Sequence, residues 1–123
     1  MKITVDEKPR FFNLATEKGW IQMAGHEIKV GKYRFCATPT SKTIHVSEIT
    51  TGTGVLSIEV DEFVKILTST KEGTLRYFKN DIGRRLKKII ESVDIDKSIA
   101  EARKITSKSI GEMPKIDGMG VRI

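Results

Sequence analysis

Residues 26–48, HEIKVGKYRFCATPTSKTIHVSE, alternate apolar and polar side chains across two turn signals, which leaves little choice of fold. Successive side chains of a strand point to opposite faces, so a one-residue slip would exchange the buried and the wet sets. Gly31-Lys32 has the length and the leading glycine of a two-residue hairpin loop. With that loop, Val30 opposes Tyr33, Ile28 opposes Phe35 and Glu27 opposes Cys36. A second turn centred on Pro39–Lys42 then sets Phe35 against Val46, Ala37 against Ile44 and Cys36 against His45. Apolar meets apolar in both hairpins, as a half-buried antiparallel sheet requires.

The flanking segments extend the sheet. KITV (2–5) reads as an edge strand before a turn at Pro9, and FFNLAT (11–16), WIQMA (20–24) and VLSIEV (55–60) as further short strands. Helical spacing begins near residue 61, with a short helix in DEFVKILTS (61–69). Ser69 and Glu72 have capping-box spacing. Leu75, Phe78, Ile82, Leu86, Ile89 and Val93 then recur at steps of three and four, one apolar stripe on a continuous helix of about 71–93, with a break at NDIG (80–83) as the alternative. Gly83 costs that helix roughly 1 kcal/mol relative to Ala. A further helix starts near Asp96, turns Ile99, Ala102 and Ile105 inward and stops before Gly111.

Strands followed by helices imply an α+β fold. The expectation is an antiparallel β-meander of about four to six strands with two to three helices on one face. The 123 residues read as a single domain, with a β half at about 1–60, a helical half at about 61–110 and an extended tail over 111–123.

Twenty-two Lys and Arg against 16 Asp and Glu give a net charge of +6, which favours acidic partners, nucleic acid among them. The lone Cys36 has no internal disulfide partner, the start carries no apolar signal region, and no run approaches the roughly 18 apolar residues of a membrane span. A cytoplasmic protein without an anchor or a cofactor is the expectation.

Two sets of residues carry candidate chemistry. Opposite the apolar stripe lie Arg76, Asn80, Arg84, Lys87, Lys88 and Glu91, with Arg85 beside them. Such a row can hold phosphates or an acidic protein surface, and it is also the wet side of an ordinary amphipathic helix. No helix-turn-helix, zinc-finger or RNP pattern accompanies it. The second set is the lateral row Glu27, Cys36 and His45, neighbours about 5 Å apart on the polar sheet face. An activated thiolate needs a nearby cation or His, which His45 would supply and Glu27 would oppose. The same three side chains are weak candidates for an open zinc site. Three unremarkable residues on a wet face is the reading adopted, with no metal and no catalytic residue.

His26 falls on the apolar face as a half-buried structural histidine, and Phe11, Phe12 and Trp20 read as core. TGTG (51–54) lacks Walker or dinucleotide spacing and reads as a hairpin loop. In composition, short and rich in Lys and Ile with one Cys, the chain resembles accessory proteins of phages and mobile elements. That likeness implies a small non-enzymatic inhibitor of a host defence system, anti-CRISPR-like, acting on an acidic protein surface or a nucleic-acid-binding complex. The alternatives are a sequence-nonspecific nucleic-acid binder using helix 76–91 and a small metalloprotein or enzyme centred on Glu27, Cys36 and His45.

Overall fold

The computed structural model describes residues 1–115. The N-terminal part is a curled antiparallel sheet of six strands: β1 (Ile3–Val5), β2 (Arg10–Thr16), β3 (Gly19–Val30), β4 (Tyr33–Pro39), β5 (Thr43–Glu48) and β6 (Gly54–Glu59). Four helices follow: α1 (Glu62–Leu67), α2 (Lys71–Tyr77), α3 (Gly83–Ser92) and α4 (Ile95–Ile110), with a π-helical turn over Phe78–Ile82 joining α2 to α3. The fold is the expected α+β meander with helices packed on one face. Among the described residues no helix is long and apolar enough to cross a membrane.

WIQMA and HEIKV belong to one twelve-residue strand, β3, not to two. Its first half pairs with β2 and its second half with β1 and β4, so the strand order is β1-β3-β4-β5-β6 with β2 attached to β3. Where β3 passes from one set of partners to the other, a Cβ on Gly25 would stand 2.1 Å from the carbonyl oxygen of Ala37. Only glycine lets the two backbones approach this closely.

The first hairpin has the expected register, with Val30 opposite Tyr33, Ile28 opposite Phe35 and Glu27 opposite Cys36. The second differs by two residues: Ala37 opposes Val46, Cys36 opposes Ser47, Phe35 opposes Glu48 and Thr38 opposes His45. The cause is the turn. The Thr40 hydroxyl accepts from the backbone N–H of Thr43 at 3.0 Å and donates to its carbonyl at 2.9 Å, closing a loop over residues 40–43. Pro39 is thereby left as the last strand residue, opposite Ile44. A slip of two keeps every side chain on its face, so the apolar face survives. Glu48, now beside Phe35, is buried, and its carboxylate accepts from Thr50 N–H, the Thr50 hydroxyl and Thr51 N–H in its own turn.

Ile28, Phe35, Ile44 and Val46 on that face meet Phe78, Ile82, Leu86 and Ile90 from the helices in the main core. The helical stretch from Lys71 to Ser92 is continuous, and the π turn lies at the NDIG segment. The stripe is modified at its ends. Leu75 and Ile89 are half-buried, and Ile90 is buried. Val93 is 49% exposed because the helix ends at Ser92 and Val93 takes an extended conformation. Gly83 has a packing role, since a Cβ there would come 2.6 Å from Cγ2 of Ile3 on β1. The N-cap of α2 is Thr70, not Ser69: its hydroxyl accepts from Gly73 N–H at 3.0 Å, while Ser69 donates back to Ile66 O of α1.

α4 begins with Asp94 accepting from Lys97 N–H and ends at Gly111, whose φ of +82° suits glycine. Ile95 is buried and Ile99 and Ala102 are half-buried, but Ile105 is 64% exposed. The inward phase after Ala102 moves to Thr106, whose hydroxyl donates to Ala102 O. The helix runs from the β3–β4 turn, where Tyr33 donates to Asp96, past Thr50, which receives a bond from Arg103, to the β2–β3 hairpin, where Trp20 donates to Gly111 O. The expected tail therefore starts on that hairpin, with Asn13 also donating to Pro114 O; its residues 116–123 lie outside those described.

Phe78 is 1% exposed at the centre of this core. Phe78→Ala should lower the unfolding free energy by about 3–5 kcal/mol in urea titrations, the usual cost of truncating a buried Phe. A loss under about 1 kcal/mol would mean that the helix does not seat on the sheet as described.

Candidate functional site

The polar sheet face is covered around Cys36, while Lys29, Arg34, Ser57 and Glu59 on it are exposed. The β2–β3 hairpin folds over it, placing Phe12 and Leu14 with Met23 and Ile49 on Cys36 in a second small core. Ala15 N–H donates to Gly52 O on the β5–β6 turn and holds the hairpin down. Gly52 has a φ of +69°, and a Cβ there would meet the Trp20 ring at 2.6 Å. Phe12 is core as expected and Trp20 is half-buried, whereas Phe11, on the other side of β2, is exposed.

The row Glu27–Cys36–His45 is therefore corrected in two ways. Cys36 opposes Ser47, so His45 sits one pair further along, opposite Thr38. Cys36 is also 1% exposed rather than on a solvated surface. Burial pushes its thiol up to about 12, with the Glu27 and Glu48 carboxylates acting in the same direction and the Ser47 backbone against it. The group stays a neutral thiol at ordinary pH, so it has neither the thiolate nor the access that a nucleophile needs. His45 lines an apolar cavity of about 210 Å³ between the hairpin and β5–β6, together with Leu14, Ile21, Met23 and Leu56.

Glu27 is held by two guanidinium groups. Arg34 donates through Nε at 2.9 Å and Nη2 at 3.0 Å, and Arg10 donates through Nη2. The hydrogen bond from Arg34 holds the Glu27 carboxyl below its ordinary 4.5, against an opposing effect of partial burial. Arg10 also lies over the Phe12 ring at 5.5 Å, which ties this ion triad to the small core. Among the described residues no three His, Cys, Asp or Glu side chains are grouped closely enough to hold a metal. His26 is half-buried as expected, with Nδ1 2.8 Å from Asp6 O and its ring beside Phe78.

The helical row is presented as the spacing implies. Arg76, Asn80, Arg84, Arg85 and Lys88 are exposed on the side of α2–α3 away from the sheet, and Lys87 is half-buried. Lys87 stands 3.9 Å from Glu91. Among the described residues no carboxylate lies within ion-pairing distance of Arg76, Arg84, Arg85 or Lys88. The row gains a neighbour that the periodicity did not single out. Leu67, Gly73, Arg76, Tyr77, Asn80 and Asp81 line a shallow groove of about 140 Å³ between the end of α1 and α2. On α1 itself Phe63 is 68% and Ile66 70% exposed. The signal was present as apolar residues at 63, 66 and 67 on a helix too short to bury more than one side.

Two outcomes test the strand face. Because the folded carboxyl of Glu27 titrates below its unfolded value, its contribution to stability is full above about pH 4.5 and is lost as pH falls through the folded value. Glu27→Gln should therefore lower the urea midpoint near neutrality, and the gap from the parent should narrow on acidification below about pH 4. A constant gap would remove the charge from the explanation. For Cys36, a disulfide-exchange reagent at about pH 8, near the reference thiol value, should label the native protein far more slowly than the urea-unfolded chain. Equal rates would place the thiol at the surface.

No family model, curated protein or solved structure matches this chain.

Proposed function

We propose that this protein is a small binding protein that acts by stoichiometric contact, with the outward face of α2–α3 set against an acidic surface of a partner protein or of a nucleic-acid-binding complex. The observation that carries this reading is a row of exposed cations on a helix anchored by its other side, of which Arg76, Arg84, Arg85 and Lys88 have no carboxylate within ion-pairing distance among the described residues. The helix is rigid because Phe78, Ile82 and Leu86 are buried, so the cations keep a fixed spacing. Pre-set charges of one sign speed association and select partners of opposite charge. The compositional likeness to phage and mobile-element accessory proteins supports an inhibitory role of the anti-CRISPR kind, in which the basic face would cover an acidic patch of the target.

A second reading is direct nucleic-acid binding, favoured by Arg76, Asn80, Arg84 and Lys88 falling at successive steps of four along one side. The two separate in one experiment. The full chain, immobilised, is used to capture partners from a bacterial lysate with and without nuclease, beside a variant with Arg84, Arg85, Lys87 and Lys88 changed to Ala. Capture that survives nuclease and is lost in the still-helical variant is the expected result. If the same cations instead give oligonucleotide binding whose affinity falls by about 0.7–0.9 log units per log unit of salt for each phosphate contacted, the second reading replaces the first.

A further inference from the structure

Leu67 of α1 lines one groove with Arg76 and Asn80 of the cationic row, and the exposed Phe63 and Ile66 lie on the same side of α1 as Leu67. Residues follow one another at about 100° around a helix. Measured from the buried Val64, Leu67 lies about 60° round α1, Phe63 about 100° and Ile66 about 160°, all on the same side. Leu67 is half-buried and forms one wall of the groove whose other wall carries Arg76 and Asn80. The apolar band of α1 thus leads from the core, through Leu67, to two large side chains that are more than two-thirds exposed. The groove is narrow at its base because Gly73 passes Leu67 O so closely that a Cβ would stand 2.5 Å from it. From Arg76 the row continues through Asn80 and Arg84 to Lys88, about 18 Å along the helix axis.

We infer that Phe63 and Ile66 together with Arg76, Arg84 and Lys88 form a docking surface for an acidic amphipathic helix of a partner protein, one that carries large apolar side chains at one end. This deepens the contact reading above and rests on it. Charge complementarity decides the occupant's sign, since Arg76, Arg84 and Lys88 are exposed and have no ion-pairing carboxylate among the described residues. Its length matches three to four turns of helix. Its apolar end decides the class. Grooves that accept helices take large anchors spaced at i, i+3, i+4 and i+7, and exposed Phe63 and Ile66 offer such anchors a dry contact. A duplex offers Ile66 only scattered thymine methyls or an unstacked base step, and a single strand could stack on Phe63 but gain little from Ile66. Asp81 lines the same groove. A phosphate backbone repeats its charge and meets that carboxylate, whereas a protein segment can place a neutral or basic side chain there.

The test uses the full chain and a fluorescent 18-residue helical peptide, Glu-rich on one face with Phe and Leu at one end. Beside it run a scrambled peptide of equal composition, polyglutamate of equal length, and single- and double-stranded oligonucleotides. The designed peptide should bind at least about tenfold more tightly than the scrambled peptide or polyglutamate. Phe63→Ala and Ile66→Ser should each weaken that binding about tenfold, as loss of a buried anchor does, without changing circular dichroism or polyglutamate binding. Arg84→Glu with Lys88→Glu should abolish binding to both acidic peptides. If polyglutamate binds as well as the designed peptide, or the α1 variants bind unchanged, the docking surface is overturned while the cationic contact reading stands. If the charge reversal also has no effect, both fall. Oligonucleotide binding tighter than that of every peptide overturns the inference in favour of nucleic acid. Concentration-dependent self-association lost in Phe63→Ala assigns the patch to a second copy of the chain and overturns it too. So does the absence of binding to all probes.

Discussion

The seating of Phe78, Ile82 and Leu86 on Ile28, Phe35 and Val46 is the contact on which everything else in this molecule depends. Each of these side chains is almost completely removed from water, and each such burial contributes roughly 1.5–3 kcal/mol. Net stabilities of domains are only about 5–15 kcal/mol, so three or four of these contacts decide whether the helices stay on the sheet. Because side chains four apart share one side of a helix, anchoring 78, 82, 86 and 90 inward forces 76, 80, 84 and 88 outward. The cationic face is thus a consequence of core packing, and its rigidity comes from the same source.

A second constraint is the length of β3. A twelve-residue strand cannot keep the same partners throughout a strongly twisted sheet, and here it changes them at Gly25. The part beyond the bend carries β2 over the back of β4 and β5 and closes the second core on Cys36. That closure takes the chemistry away from the strand face. It deprives the thiol of water and of access, and it leaves Glu27 at the rim, where Arg10 and Arg34 neutralise it. Structural roles account for Cys36 and Glu27, and the proposed contact rests on the exposed faces of the helices.

Under that proposal the helical surfaces combine two kinds of recognition. Exposed cations steer and select by charge, but in water each is worth little by itself. Exposed aromatic and aliphatic side chains provide most of the affinity in a protein contact when they are covered by a partner. Leu67 and Arg76 line one groove at the junction of the shortest helix with the longest helical stretch, and Phe63 and Ile66 are exposed on the same side of α1 as Leu67. The short α1 turns Val64 and, in part, Leu67 to the core and leaves Phe63 and Ile66 outside.

By itself the sequence determined which face each side chain takes. Period two across 26–48 separated Ile28, Phe35 and Val46 from Glu27, Cys36 and His45, and spacing of three and four put Phe78, Ile82 and Leu86 together. The Gly31-Lys32 turn and the stop at Gly111 were legible because each depends on a backbone conformation that few residues adopt. Periodicity is blind to a slip of two, so Cys36 opposite Ser47 rather than His45 was settled by the hydrogen-bonded turn at Thr40–Thr43. It is equally blind to what covers a face. Cys36 is buried by Phe12 and Leu14, more than twenty residues away in the chain, and Ile105 is exposed because α4 turns Ala102 and Thr106, not Ile105, toward the rest of the protein. Local pattern specifies orientation, which is a property of the backbone repeat, whereas burial is a property of distant segments brought together, and only the tertiary structure decides it.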